Sequence, residues 1–156
     1  MKKIIAAILL VAALQAQAQK NFKKHTTYLE ILGNGIVLSA NYELQLADKP
    51  GFGIRAGIGL GGIKPAIPLG VVYLINIGKQ RSFIETGAGI TLAERDVWDD
   101  NKSQLFSNPY QVAFIPSVGY RHHTPYGLMW KLIYTPFFSK ENNEPGFFGA
   151  SIGWRF

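Results

Sequence analysis

The sequence predicts an all-β protein, an eight-stranded antiparallel barrel, and three observations carry this prediction. The last nine residues, 148–156, alternate between an apolar face with three aromatic side chains and a face of glycine, serine and arginine. A period of two is the pattern of a β-strand. Glycine and proline residues divide the chain after residue 24 at intervals that suit hairpins. The chain also begins with a segment typical of exported proteins.

Residues 1–18 are predicted to be a secretory signal peptide. A basic start precedes an apolar run from Ile4 to Leu14, and small residues at Ala16 and Ala18 indicate cleavage before Gln19. This run of 11 residues is too short to span about 30 Å of hydrocarbon as a helix, so export is favoured over a membrane anchor. Residues 19–156 are then predicted to form a single β-barrel domain.

Composition excludes several classes of protein. The formal net charge is +6, yet no basic run is interleaved with aromatic residues, so no nucleic-acid partner is predicted. The chain contains no cysteine, so its stability does not depend on disulfides. After the leader, the longest apolar stretch runs from Ala66 to Ile75, which is too short for a spanning helix. If the chain crosses a membrane, it does so as strands.

Eight strands are predicted, and most have about the 9–11 residues that a tilted strand needs to cross a bilayer. The connections after the second, fourth and sixth strands are short, and the long segments 93–109 and 139–146 follow odd-numbered strands. Bacterial barrels have short periplasmic turns and longer external loops, so both chain ends are predicted to lie in the periplasm. The predicted strands are 25–33, 36–46, 52–60, 66–75, 82–92, 110–122, 127–138 and 147–156.

The first connection is predicted to be a two-residue turn at Asn34-Gly35. The apolar residues occupy odd positions before this dipeptide and even positions after it. One strand cannot exchange its two faces without a bulge. Asn-Gly is the strongest signal for a hairpin turn, because both of its residues adopt a positive φ there. A turn is therefore favoured over a bulge.

Two arrangements of the strand faces are open. A soluble, lipocalin-like barrel would turn the apolar face inward around a ligand, whereas a membrane barrel would turn it toward lipid. Glycine suits the crowded interior of an eight-stranded barrel, and the apolar face ends repeatedly in tyrosine or tryptophan, as in an interfacial girdle. We therefore expect an eight-stranded antiparallel up-and-down transmembrane β-barrel with a girdle of Tyr42, Tyr73, Tyr120, Trp130, Tyr134 and Trp154.

Seven charged residues lie on the glycine-rich face and would line the lumen, in the periplasmic half of the barrel. Three carboxylates and four cations can pair there, and Glu43 should lie opposite Arg55 because both are equidistant from Lys49. One hypothesis is an ion-pair network that plugs the barrel, and the alternative is that the pairs only stabilise the interior. The seven residues are Glu30, Glu43, Arg55, Glu85, Arg121, Lys131 and Arg155.

The segments at 28–35, 39–43, 68–70, 85–89, 119–121, 134–136 and 153–156 read YLEILGNG, SANYE, PLG, ETGAG, GYR, YTP and GWRF. These segments resemble those of small outer-membrane β-barrel proteins of Gram-negative bacteria, in the OmpA/OmpX-type size class. The resemblance is strongest to a family of uncharacterised barrels, and it implies a location in the outer membrane, with lipid, lipopolysaccharide and the assembly machinery as partners. It also implies that Phe148, Ile152, Trp154 and Phe156 form the assembly signal.

The predicted role is structural or surface-interacting, without catalysis, and a narrow channel or a lipid A-modifying enzyme are the alternatives. No catalytic residue, cofactor or metal ligand is predicted. Ser117 and His122 lie on opposite faces by parity, so no serine–histidine contact is expected. The adjacent His122 and His123 also point in opposite directions on a strand, which disfavours a shared metal. The oligomeric state is left open.

Overall fold

The computed structural model of the protein describes residues 22–61, 64–79, 81–94, 110–138 and 143–156. The predicted signal peptide and most of the long segment 93–109 lie outside these residues. The all-β fold is confirmed: eight antiparallel strands form a closed barrel in sequence order, and the last strand pairs with the first. The strands are β1 (His25–Ile31), β2 (Leu38–Gln45), β3 (Phe52–Gly61), β4 (Lys64–Gly78), β5 (Ser82–Glu94), β6 (Tyr110–His123), β7 (Leu128–Phe138) and β8 (Asn143–Arg155).

The largest differences between the predicted and the observed strand bounds occur in β4 and β8. Both strands are longer than predicted, and β8 begins at Asn143 instead of residue 147. The sequence misled here because proline and glycine near residue 146 indicate a loop, whereas the ladder continues to the pair Phe138 and Asn143 after a register shift. Pro136 cannot donate a ladder hydrogen bond, and Gly146 takes a φ of 107°. Pro136 and Gly146 therefore form an irregularity within the β7–β8 hairpin, and the hairpin continues beyond them.

The first turn is confirmed as a turn, but the two-residue form is wrong. The connection between β1 and β2 spans residues 32–37, and the Leu32 amide donates to the Val37 carbonyl at 3.0 Å. Positive φ values occur at Leu32 and Ile36, not at the Asn-Gly dipeptide. The backbone of Asn34 is engaged with the barrel interior, where its amide donates to the Glu30 carboxylate at 2.9 Å. A tight hairpin would have left that donor outside.

The direction of the two strand faces is confirmed. On the predicted outer face, Trp154 is 50% exposed and Leu132 is 57% exposed. On the predicted inner face, Arg55 is 4% exposed and Glu85 is completely buried. The same alternation is visible along whole strands, such as β2 with its strictly alternating exposed and buried residues up to Glu43. The interior of this barrel therefore contains its charged side chains together with buried apolar residues such as Leu74 and Met129, and its outer surface is apolar.

Candidate functional site

The lumen brings six of the seven predicted charged residues into one cluster. Arg121 donates through Nη1 and Nη2 to the two carboxylate oxygens of Glu43, each at 2.6 Å, and its Nε lies 2.6 Å from Glu85 Oε2. Lys131 Nζ is 3.2 Å from Glu85 Oε1 and 3.1 Å from Glu30 Oε2. Every one of these side chains is at most 1% exposed. Bidentate arginine–carboxylate pairs of this kind are strong and directional.

Glu85 is the centre of the cluster, because three cations share its carboxylate. The third is Arg55, whose Nη1 is 3.8 Å from Glu85 Oε1. Lys131 also lies over the ring of Tyr28, with Nζ 4.4 Å from the ring centroid, which is a cation–π distance. Coulomb interactions are strong in a poorly polarisable interior, so each cation here depends on the carboxylates around it. Loss of Glu85 would leave three buried cations undercompensated.

The position of Glu43 opposite Arg55 is confirmed by the register between β2 and β3. These two residues nevertheless make no ion pair with each other within the described chain. Arg121 reaches Glu43 from β6, and Arg55 turns toward Glu85 on β5. Register fixes the heights of side chains on neighbouring strands, but long side chains in a narrow lumen can also reach partners across the barrel. Sequence parity alone does not contain that information.

Arg155 lies apart from the cluster, near the end of the barrel where both chain termini emerge. Its Nη2 donates to the carbonyl of Lys23 at 2.9 Å, and its guanidinium carbon lies 4.7 Å from the centroid of the Phe22 ring. Phe22 also contacts His123, which in turn packs against Phe83. These three rings are at most 8% exposed. The segment before β1 thus closes the lumen at this end with an aromatic layer.

The turn at residues 32–37 closes the lumen on the other side of the cluster. Asn34 is 2% exposed, and its carbonyl accepts a hydrogen bond from Thr91 Oγ1 at 2.5 Å. Thr91 is on β5, the strand diametrically opposite β1 in an eight-stranded barrel, so the turn reaches across the interior. A side chain at Gly89 would meet Asn34 Nδ2 at 2.9 Å, so the glycine there leaves room for the turn. The ionic cluster therefore lies between two closures made by the chain itself.

Each of the seven charges lies within five residues of the strand end nearest the chain termini. Glu30 is the farthest along its strand, as the sixth residue of β1, and Arg155 is the nearest, as the last residue of β8. The long strands β4, β5, β6 and β8 continue for 13 to 15 residues in all. The charged layer therefore occupies one half of the barrel, and small or apolar residues such as Ala113 and Ile115 line the other.

A second polar cluster, which the sequence reasoning missed, lies outside the barrel on the rim near the chain termini. Ser82 Oγ is 2.9 Å from Tyr120 Oη and 3.4 Å from His122 Nδ1. His122 stacks on Trp130, with ring centroids 5.6 Å apart. The sequence contained a signal for this cluster, because Ser82 and His122 lie at the ends of β5 and β6 that pair with each other. For a serine to act as a nucleophile, the histidine beside it must itself be oriented by a further group.

The predicted absence of a Ser117–His122 contact agrees with the structure, since Ser117 is buried inside while His122 is on the outer face. His122 and His123 point to opposite sides of the wall, as predicted. In the described part of the chain, no group of three or more histidine, cysteine, aspartate or glutamate residues is placed to hold a metal ion. The four residues of the implied assembly signal, Phe148, Ile152, Trp154 and Phe156, are all exposed on the outer face.

Comparison with known proteins does not add to this description. The chain matches no protein-family profile, no curated protein and no solved structure. Among the residues that the structure describes, no helix is both long enough and apolar enough to cross a membrane. The class that fold and lumen define is a small, closed, antiparallel β-barrel with an ionic interior and an apolar exterior.

Proposed function

We propose that this protein is a small outer-membrane β-barrel whose interior is filled by its own side chains and whose role is structural or surface-interacting, without catalysis. One observation carries the proposal. On the strand residues whose outward side chains are described, no lysine, arginine, aspartate or glutamate occurs, while seven charged residues face the interior. That is the reverse of the polarity expected for a barrel surrounded by water.

The energetics of the outer face support the same conclusion. Residues such as Ile58, Phe148 and Leu132 are 57 to 80% exposed, and they belong to a band that continues around the barrel. Soluble monomers rarely expose apolar patches larger than a few hundred Å². Exposing this apolar face to water would be unfavourable, whereas contact with acyl chains is not. The closed ladder also leaves no strand edge unpaired. The aromatic residues Trp130 and Trp154 lie toward one end of that band, as interfacial residues do.

The first test is cell fractionation followed by gel electrophoresis with and without heating. A folded outer-membrane barrel should fractionate with the outer membrane and migrate differently before and after boiling. Recovery in the soluble periplasmic fraction would contradict the proposal and favour a soluble barrel. Proteolysis of intact cells adds the orientation, since the chain ends should be protected if they lie in the periplasm.

The filled interior supports a structural role over a channel. The ionic cluster lies between the Phe22 layer and the Asn34 turn, which are both buried. Pure refolded protein in a planar bilayer should therefore show no steady open-channel conductance. A stable conducting state would favour the narrow channel instead.

An enzyme acting on lipid A is tested separately, because the Ser82–His122 contact is a serine–histidine pair on the outer face. Mass spectrometry of lipid A from cells with and without the gene should show the same acylation pattern. A pattern that changes with the gene would overturn the non-enzymatic role, and failure of a Ser82→Ala variant to restore the wild-type pattern would identify Ser82 as the reactive residue.

The proposed partners are outer-membrane lipid, lipopolysaccharide and, during biogenesis, the assembly machinery. The terminal strand supports the last of these, because its exposed aromatic residue Phe156 ends an alternating apolar face and stacks on His25 with centroids 5.6 Å apart. A Phe156→Ala variant should assemble more slowly in cells, yet refold normally in detergent. Equal assembly rates would exclude an assembly signal at this residue.

A further inference from the structure

The rim of the barrel near the chain termini is strongly basic. Its described charged residues are one aspartate and five cations: Lys23, Lys24, Asp48, Lys49, Lys79 and Arg81. Asp48 is already paired with Lys24 at 2.9 Å. The other cations of the rim form no ion pair within the described residues. A ring of unpaired positive charge at the edge of an apolar band is complementary to an anionic surface.

Part of this rim is a pocket of about 480 Å³, lined by Gly78, Lys79, Arg81, Ser82 and His122. It lies beside the turn between β4 and β5, at the base of the Ser82–His122 cluster. Two cationic side chains, a hydroxyl and an imidazole thus share one small concave site. No carboxylate of the described residues lines this pocket. Ammonium, guanidinium, hydroxyl and imidazole groups together are donors suited to the oxygens of a phosphate.

The surroundings of the pocket indicate what carries that phosphate. Ser82 and His122 lie on the outer face of the wall, and His122 stacks on Trp130, which is 38% exposed toward the apolar band. Tyr120 contacts the same tryptophan, with centroids 5.4 Å apart. A ligand bound here has its anionic group at the level of the aromatic girdle. The apolar surface next to the pocket is open, and an acyl chain of the ligand would extend along it. A free anion has no acyl chain and would therefore make no contact with that neighbouring apolar surface.

We propose that the pocket lined by Lys79, Arg81, Ser82 and His122 binds the phosphate group of an anionic phospholipid. Lys79 and Arg81 supply the charge, and Ser82 and His122 supply directed hydrogen bonds, since they are held in place by Tyr120 and Trp130. The inference rests on the proposed membrane location. With the chain ends in the periplasm, the ligand is a phospholipid of the inner leaflet. The same phosphate chemistry also occurs in lipid A and in inorganic phosphate, so the experiment includes both.

The test uses the full mature chain refolded in a maltoside detergent, which contains no phosphate. Native mass spectrometry measures its complexes with phosphatidylglycerol, with lipid A and with inorganic phosphate. The wild-type chain should form a one-to-one complex with phosphatidylglycerol. The Lys79→Gln, Arg81→Gln double variant should bind it about tenfold more weakly, because two charge-assisted contacts are lost.

The matched control is the Lys24→Gln, Lys49→Gln double variant, which removes the same formal charge from the same rim, in the segment before β1 and in the connection between β2 and β3. It should bind phosphatidylglycerol within about twofold of the wild type. Equal weakening in the two double variants would overturn the pocket and leave only a general attraction to the rim. Tighter binding of lipid A, or equal binding of inorganic phosphate, would overturn the assignment to an inner-leaflet phospholipid.

Failure here can be separated from failure of the proposed function. Each variant is also checked for heat-modifiable mobility and for its membrane fraction, since none of the substituted residues is buried or lies within a strand, and the changes should not disturb the barrel. If all chains fold and fractionate with the outer membrane while binding is unchanged, only the phospholipid site is wrong. If the wild-type chain is not found in the membrane, the proposed function itself is wrong.

Discussion

Ile84 and Glu85 are neighbours on β5, yet they lie in two different environments. Ile84 faces outward in a band of apolar side chains, and Glu85 is completely buried among Arg55, Arg121 and Lys131. One peptide bond therefore separates the most hydrophobic surface of the molecule from its most charged site. Because successive strand residues point to opposite faces, the whole wall repeats this contrast. The charged side chains of this barrel are therefore satisfied by one another in the interior, whereas its apolar side chains need an apolar environment outside.

The largest loss of stability is expected from a substitution at Glu85 in the interior. A Glu85→Gln variant keeps the shape of the side chain but leaves three cations around a neutral amide. We expect a loss of about 3–5 kcal/mol in the free energy of unfolding, the range found when one partner of a buried ionic cluster is removed. Urea unfolding of the refolded barrel in vesicles, followed by tryptophan fluorescence, measures it.

A second substitution, at Arg55, tests whether the charges in the lumen are coupled. Arg55 makes its ion pair with Glu85, so the Glu85→Gln, Arg55→Gln double variant restores the balance of charge. It should recover part of the stability that the single variant loses. If the double variant is less stable by the sum of the two single effects, the charges in the lumen act independently and no coupled network exists.

The environment of the outer face can be tested at Leu132, which is 57% exposed near the middle of β7. A Leu132→Arg variant should destabilise the inserted barrel by roughly 2–4 kcal/mol, because a cation near the bilayer midplane loses its hydration. The same unfolding measurement applies, with Leu132→Phe as a control of similar polarity to leucine. A neutral effect of the arginine in vesicles would indicate that this residue faces water.

A smaller effect is expected at the turn that crosses the lumen. Thr91→Val removes the hydroxyl that donates to the Asn34 carbonyl while keeping the volume of the side chain. We expect a loss of about 1 kcal/mol, typical of one hydrogen bond, and faster hydrogen exchange of the amides in 32–37. Unchanged exchange would show that the turn is held in the lumen by other contacts.

The smallest effect is expected for the exposed pair Lys24–Asp48 on the rim, whose side chains are 38% and 81% exposed. Lys24→Gln should change the free energy of unfolding by about 0–1 kcal/mol, because water screens such pairs. A loss of unfolding free energy comparable to that of Glu85→Gln would contradict the expected difference between buried and exposed ion pairs.

The sequence contained most of the fold because the wall depends on a local pattern. Alternation at period two places Glu85 and Ile84 on opposite faces whatever their partners are, and hairpins pair strands that follow each other in the chain. That is why the eight strands, their order and the direction of both faces could be predicted. The opposition of Glu43 and Arg55 could be predicted for the same reason, from their equal distances to one turn.

The contacts within the lumen could not be read in this way. Arg121 reaches Glu43 across the interior, and Asn34 reaches Thr91 on the opposite wall. Such contacts depend on the tilt and diameter of the closed barrel and on the length of each side chain, which no local pattern contains. The Asn-Gly signal also misled, because buried partners for the Asn34 backbone outweighed the local preference for a tight turn.

Tryptophan fluorescence can show whether acyl chains surround the outer face of the barrel. With Trp98 replaced by phenylalanine, the remaining Trp130 and Trp154 are both on the outer face, 38% and 50% exposed. In vesicles of lipids brominated along the acyl chain, their emission should be strongly quenched, and aqueous iodide should have little effect. Quenching by iodide without quenching by the brominated lipid would show that this face is in water, and the membrane barrel would be wrong.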